Sequence, residues 1–358
     1  MRKTTITFLI LLLTCAIPCL AQSFLQIENV EKVPLGDYTY QWRNVEKRTP
    51  LQGKVRIVVR YDQYFIAAFK DGIMNGPYER YKDNVLVEKG TYVNGLKNGK
   101  YSTYHWNGKL ESECTFNAKN RLEGKKTTYH QDGTIASEGY YSNSVQNGVY
   151  RTYDSSGAVT LEEHYENGVK KGPMKAVYDD YSCEGVYLND FNKAGDYKET
   201  WNNGQPKAIE HYTDEGGKTG IWKKWFKNGT LQEMLDYSTL QGERIFYSED
   251  GKMKERSRYG ADGKLEVNQT FYPGTEVLHI EDFYKDGRLT SFKRYYEDGI
   301  LREEGRYEGG NEIYVKEYYR NQKVKAVKER RARGWGYDMQ IVEIYDENGK
   351  ALPLPVVE

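Results

Sequence analysis

The chain has 358 residues, with 52 Lys and Arg against 52 Asp and Glu, so its formal charge is zero. A chain without net charge has no electrostatic reason to coat nucleic acid or an anionic membrane along its length. Leu, Ile, Val and Phe make up roughly a fifth of it, near the level at which chains stay disordered, yet 33 Tyr and 6 Trp supply apolar surface as rings with polar tips, which suits half-buried sheet faces better than a large dry core.

Residues 1–21 read as a secretory signal. Met1-Arg2-Lys3 is a basic start, Ile6 to Leu13 is an apolar run broken only by Thr7, and Cys19-Leu20-Ala21 places small residues before a cleavage site at Gln22. The run is short for a bilayer span, which needs ~20 residues, and Pro18 fits poorly with lipid attachment at Cys19. The expected destination is the periplasm, the outer surface or the medium. Without Arg2 and Lys3 the balance becomes 50 cations against 52 acids.

Residues 22–70 carry two more apolar stretches, Val55-Arg-Ile-Val-Val-Arg60 and Tyr64-Phe-Ile-Ala-Ala-Phe69, and are expected to cap the end of a sheet. From 71 to 350 one pattern recurs. Tyr81, Tyr104, Tyr129, Tyr153, Tyr178, Trp201, Trp225, Tyr247, Tyr272, Tyr296, Tyr319 and Tyr345 are spaced by 22 to 26 residues. A turn pair follows most of them: Asn107-Gly108, Asp132-Gly133, Ser156-Gly157, Asn203-Gly204, Asn228-Gly229, Asp250-Gly251, Asp298-Gly299 and Asn348-Gly349. Gly-x-aromatic-x-x-aromatic precedes several, as at Gly76 to Tyr81, Gly99 to Tyr104, Gly148 to Tyr153 and Gly220 to Trp225.

Asn-Gly and Asp-Gly between strand-forming residues predict hairpins with type I′ turns, in which both central residues take positive φ. Each repeat is then two short strands plus a second connection with its own glycine, as in Tyr92-Val-Asn-Gly-Leu-Lys-Asn-Gly99. Glycine recurs too often for helix. Tyr101 and Tyr104 are three apart, so a regular strand points them to opposite faces; a bulge that re-aims one is the alternative. One hairpin cannot stand alone, so neighbours must cover each other and stability becomes a sum of nearest-neighbour terms. The predicted fold is all-β: an elongated, antiparallel, single-sheet solenoid of stacked β-hairpins with a period of about 24 residues. Residues 351–358, with Pro353 and Pro355, form a tail. Cys114 and Cys183 lie 69 residues apart, nearly three repeats. That puts them about 25–30 Å apart at ~10 Å per hairpin, too far for a disulfide, which needs Cα atoms within about 7 Å.

These residues resemble the bacterial MORN-repeat-variant proteins, a group often labelled YwqK-family antitoxins. Gly99-Lys-Tyr-Ser-Thr-Tyr-His-Trp-Asn-Gly-Lys-Leu110 follows the pattern nearly position by position, and Gly220 to Leu231 follows it with Trp222 and Trp225 in place of Tyr. The resemblance covers about residues 70–350 and implies stacked, twisted antiparallel hairpins. The antitoxin label implies neutralising a secreted toxin. The eukaryotic relatives are associated with membrane and protein tethering, but their regular Tyr-x-Gly-x-Trp opening is missing here. Membrane lipid binding therefore stays open without residue-level support.

The chain shows no constellation for chemistry, so no catalytic, cofactor-binding or metal-binding residue is assigned and no enzyme is expected. His105 and His130 should sit one repeat apart, on the order of 10 Å, too far to share a metal ion. Gly216-Gly-Lys-Thr219 has Tyr212 where a phosphate loop needs glycine. Glu162-Glu163 and Glu303-Glu304 are adjacent and so face opposite ways on a strand. The one charge cluster is Lys323 to Arg333, followed by Gly334-Trp335.

The expected function is an exported, non-catalytic repeat scaffold that binds a protein or envelope component through a Tyr/Trp-rich face. The candidate residues are Tyr104, Tyr153, Trp201, Trp222, Trp225, Arg330, Arg331, Arg333 and Trp335. Immunity against a toxin and glycan binding by ring stacking at Trp201, Trp222 and Trp225 are the alternatives. Nucleic acid is not expected as a partner.

Overall fold

The computed structural model describes residues 24–36, 38–238, 242–333 and 336–354. The signal segment 1–21, Trp335 and the last part of the tail lie outside them. Strands and turns account for the fold; a single 3₁₀ turn at Ile27–Asn29 is the one helical element among the described residues. The chain divides into two compact units, residues 1–145 and 146–358. In the first, the strands from Gly53–Arg60 to Ile135–Ser142 pair with their neighbours in antiparallel register. In the second, the strands from Val145–Tyr153 to Gly336–Ile344 do the same.

Two kinds of turn alternate, and this corrects the expectation of type I′ geometry after the aromatic markers. At Asn107-Gly108 only the glycine has positive φ (+78°). The Gly108 N–H donates to the His105 carbonyl at 2.9 Å, closing a tight turn that is followed by one left-handed residue. Asn107 keeps an ordinary φ because its Oδ1 accepts the Lys109 N–H at 3.0 Å, a local bond that short polar side chains make readily. True two-residue I′ turns occur in the other connections, such as Asn94-Gly95 (φ 50° and 83°), Asn167-Gly168 (51° and 84°) and Asp286-Gly287 (51° and 74°).

Asparagine at the marker turns serves twice, because an amide has a donor as well as an acceptor. Asn107 Nδ2 reaches the Gln131 carbonyl at 2.9 Å, Asn203 the Lys227 carbonyl at 2.8 Å and Asn321 the Glu347 carbonyl at 2.7 Å. Rings do the same two positions earlier. His105 Nε2 bonds the Tyr129 carbonyl at 2.9 Å, Tyr296 Oη the Tyr318 carbonyl at 3.1 Å and Tyr319 Oη the Tyr345 carbonyl at 2.8 Å. At these turns the sequence period is thus a physical link from one turn to the next.

The question posed by Tyr101 and Tyr104 is settled by the register. Tyr104 pairs with Leu110 and Thr103 with Ser112, so the additional residue, Glu111, sits in the returning strand. The strand Gly99–Tyr104 stays regular and its two tyrosines lie on opposite faces. The same slip recurs opposite Tyr129, Tyr153 and Trp225. Tyr101 belongs to the aromatic face of the first unit. That face holds Phe65, Phe69, Tyr78, Tyr92, Tyr101 and Phe116, as the registers require.

Rings on this face lie flat against glycines of a neighbouring strand. A Cβ on Gly90 would be 2.2 Å from the Tyr101 ring, one on Gly185 2.8 Å from Tyr197, and one on Gly305 2.4 Å from Phe292. Bare backbone is what lets the ring come down.

At the start of the first unit the single antiparallel sheet expected from sequence is modified twice. Phe24–Gln26 pairs in parallel with Arg56–Val58. Val30–Gly36 and Thr39–Asn44 form a separate hairpin, which places Trp42 against Phe65 and Phe69 at 5.6 and 6.0 Å between ring centres. Trp42, Leu51, Val55, Ile57, Phe65, Ala67, Phe69, Met74 and Tyr78 form a continuous buried core. Cys114 and Cys183 are both free.

Candidate binding face

In each unit the aromatic face carries cations directly over its rings, Trp42 included, where Lys32 Nζ lies 4.5 Å from the ring centre. The recurring source is Lys-x-Gly-x-aromatic: Lys97-Asn-Gly99-Lys-Tyr101, Lys193-Ala-Gly195-Asp-Tyr197 and Lys218-Thr-Gly220-Ile-Trp222. In a regular strand, residues four apart are ~13 Å apart. The glycine takes positive φ in each case, +76°, +62° and +63°, and the strand register slips there. The lysine is thereby turned back over its own ring, its Nζ 3.7 Å from the centre of Tyr101, 3.1 Å from Tyr197 and 4.7 Å from Trp222. Where Met174 replaces the aromatic, Lys170 lies instead 5.4 Å from the Tyr187 ring. Ammonium over a ring face is attractive, and the lysine stem covers apolar surface.

Carboxylates alternate with the rings. Glu88 accepts from Arg80 at 2.5 Å and from the Tyr101 hydroxyl at 2.7 Å. Glu163 accepts from Lys170 at 2.6 Å and Tyr165 at 2.8 Å. Glu210 accepts from Lys193 at 3.2 Å and Tyr212 at 2.7 Å. Glu233, 5 % exposed, is held by Lys224 at 3.0 Å and Arg244 at 2.8 Å. Burial opposes ionisation of Glu88 and Glu233, but the hydrogen bonds from Arg80 and Tyr101, and from Lys224 and Arg244, outweigh it and hold both carboxyls below their ordinary range. Burial drives the Tyr101 and Tyr197 phenols far upward, helped by Glu88 and by the Cys183 thiol respectively. Burial also pushes the Cys114 thiol up, away from nucleophilic reactivity.

Beside Trp222 the face opens into a cavity of about 500 Å³, lined in part by Lys218, Trp222, Glu233, Tyr237, Arg244 and Tyr259. Trp222 packs between Tyr212 and Tyr237, 5.0 and 4.9 Å between ring centres. Its indole N–H is spent on the His211 carbonyl at 2.9 Å.

The residues singled out from sequence do not converge on one place. Tyr104 and Tyr153 are half-buried at strand ends, opposite Leu110 and Val159. Trp201 donates from Nε1 to the Trp225 carbonyl at 3.3 Å, so these two form part of the turn-to-turn linkage. Trp222 is buried and faces away from Trp225, three residues on. Arg330 stacks on Tyr337 at 4.7 Å, Arg331 pairs with Glu329 at 3.1 Å and Arg333 with Asp338 at 3.6 Å. These arginines stand on the hairpin of Val324–Arg333 and Gly336–Ile344, each engaged by a ring or an acid. Trp335 lies outside the described residues. Sequence reasoning missed Lys97, Lys193 and Lys218; the signal was a lysine two residues ahead of the glycine in Gly-x-aromatic.

Six segments, residues 97–118, 122–143, 146–167, 218–238, 240–261 and 288–308, match the family model described as MORN repeat variant. No curated protein matches the chain. Among solved structures it is similar to a chain from the crystal structure of an S. aureus TarM mutant in complex with Fondaparinux, alpha-GlcNAc-glycerol and UDP, at 12 % identity and a TM-score of 0.17, over 34 % of this chain and 21 % of that one. It is also similar to a chain from the crystal structure of TcdB2-TccC3-Cdc42, at 10 % identity and a TM-score of 0.14, over 90 % of this chain and 22 % of that one. The chain spans less than a quarter of the length of either.

Proposed function

We propose that this chain is an exported, non-catalytic repeat scaffold that holds an envelope component or protein on its aromatic face. The observation that supports the reading is the coverage of that face. Beyond Trp42 the rings are roofed by lysine side chains, Lys97 in the first unit and Lys193, Lys207 and Lys218 in the second, and among the described residues no second sheet covers them. Such a roof keeps an aromatic surface wetted, and it moves aside on side-chain rotation alone. Rings and cationic side chains in array are what binding hot spots are made of. The matched repeat family suits a scaffold, and the basic-apolar N-terminus suits export.

Amine labelling tests the reading. The chain without residues 1–21 is incubated with envelope extract, and the reactivity of each lysine is compared with that of the free chain. A bound partner should protect Lys97, Lys193, Lys207 and Lys218 more than Lys89 and Lys198, which the strand register puts on the opposite face. Uniform reactivity with and without extract would remove the reading. Immunity against a toxin uses the same face with a toxin as partner, and rescue on co-expression with that toxin distinguishes it.

A further inference from the structure

We propose that the cavity beside Trp222 binds an acidic sugar, a pyranose carrying a carboxylate, with its ring on the aromatic surface and its carboxylate on Lys218. The proposal rests on the binding-face reading and names the ligand class for one place on that face.

The charge inventory of the cavity carries the argument. Its acids are all engaged. Glu233 is held by Lys224 and by two nitrogens of Arg244, Nε at 3.0 Å and Nη2 at 2.8 Å. Asp236 Oδ1 accepts the N–H of Ser238 at 2.8 Å and its hydroxyl as well. Glu243 pairs with Arg256 at 2.5 Å. Lys218 is the lining cation with no carboxylate partner among the described residues. It is exposed, and it touches only the Tyr237 hydroxyl at 3.5 Å and the rings of Trp222 and Tyr237 at 4.7 and 5.2 Å. This differs from the equivalent Lys193, which is tied to Glu210 at 3.2 Å. Ser238 leaves the charge of Asp236 in place, but with Arg256 counted four cations stand against the three carboxylates, so the cavity carries an excess of one positive charge next to two aromatic surfaces.

The remaining groups favour a sugar as the carrier of the anion. A pyranose has an apolar face of C–H bonds and a rim of hydroxyls. Trp222, Tyr237 and Tyr259 supply a surface for the first. For the second, the hydroxyls of Tyr237 and Tyr259 donate or accept, and Arg244 retains three of its five N–H donors after binding Glu233. The volume of about 500 Å³ lies within the range of small-ligand pockets. Lys218 now occupies the ring surface; its flexible stem lets the ammonium swing to the carboxylate as the sugar takes its place.

Binding is followed by tryptophan fluorescence and calorimetry on the chain without residues 1–21. The probes are trigalacturonate and a hyaluronan hexasaccharide, each beside its methyl ester. The acids should bind saturably and the esters about tenfold more weakly, the worth of one charge-assisted hydrogen bond. Lys218→Gln should erase that preference while still binding the esters, and Lys193→Gln should retain it. Equal binding of acid and ester, a preference that survives Lys218→Gln, or no saturable binding of either acid overturns the proposal. If the sugars fail while the lysines are still protected in envelope extract, the sugar assignment falls and the scaffold remains. If the sugars bind and extract protects no lysine, the scaffold falls instead.

Discussion

The strands from Gly53 to Tyr78, in the first unit, and those from Met174 to Tyr237, in the second, each present an aromatic face, but they finish it differently. In the first stretch Trp42 arrives from a separate hairpin, and nine residues form a continuous buried core. In the second the buried cluster is small, Met174, Ala176 and Cys183, and the rings are roofed by Lys170, Lys193, Lys207 and Lys218. One region is stabilised by apolar area removed from water; the other rests on stem packing, ring–cation contacts and carboxylates pinned between strands. The first keeps a cavity of about 330 Å³ beside Trp42, Phe65 and Tyr78, but the core beneath it is fixed by packing. The second is covered by side chains that can rotate, and the proposed binding role rests on that difference.

Alkali should erase the difference between the two regions and so gives the largest effect. Burial raises Tyr78 in the first region and, with the hydrogen bond to Glu210, Tyr212 in the second, both well above the ordinary phenol value near 10; it also raises Tyr92 and Tyr295, outside these stretches, to about 12. Both regions therefore favour the neutral phenol. That stability is intact below pH ~10, where phenols are neutral folded or unfolded, and is lost as the pH rises toward 12 through the folded values. Tyrosinate absorbance and loss of sheet circular dichroism should rise together across this window. Phenols that ionise near pH 10 with the sheet intact would show that burial is not what holds them.

Trp42→Ala should separate the regions again. It empties the centre of the capped core and should cost about 3–5 kcal/mol there. Because stacked hairpins pass stability only to neighbours, amide exchange should accelerate from Gly53 to Tyr78 and stay unchanged from Met174 to Tyr237. Equal acceleration in both would mean that the aromatic face acts as one cooperative block.

Gly90→Ala and Gly305→Ala probe the ring-on-glycine packing that recurs outside these two regions. A methyl 2.2 Å from the Tyr101 ring or 2.4 Å from the Phe292 ring must lift the ring from its strand, at about 1–3 kcal/mol. Denaturant midpoints of the two variants should fall by comparable amounts, with Gly90→Ala the lower. A neutral result at either site would mean that the ring finds another rotamer without loss.

The legibility of this fold in the sequence divides along the same line. The hairpins, their period and the free cysteines follow from Gly-x-Tyr-x-x-Tyr and the Asn-Gly pairs, because those positions constrain backbone geometry locally. The turn class after the markers does not follow: Asn107-Gly108 satisfies a I′ turn as well as the geometry it adopts, and the choice depends on how many residues the returning strand bulges. The hairpin that carries Trp42 was hidden because Val30–Gly36 and Thr39–Asn44 match no repeat, and what they cover is a tertiary matter. The parallel partner of Phe24–Gln26 is equally non-local. The lysines were invisible for another reason. Lys193 and Tyr197 look distant on a strand, and only the positive φ of Gly195 brings them together.

That last pair supports the smallest test and the most direct one of the roofing idea. Lys193 contributes a charge over Tyr197, a partner for Glu210 and a hydrocarbon stem. Lys193→Met keeps the stem and removes the charge, which should cost about 0.5–2 kcal/mol, mostly as lost ring–cation attraction. Lys193→Ala removes the stem as well and should cost more by roughly 1 kcal/mol, in proportion to the apolar area uncovered. The alanine variant should also bind a hydrophobic dye that the parent and the methionine variant exclude. If both variants are equally stable and neither binds dye, the stem covers nothing. The face would then be open to water in the native chain, and the contrast with the Trp42 region would rest on electrostatics alone.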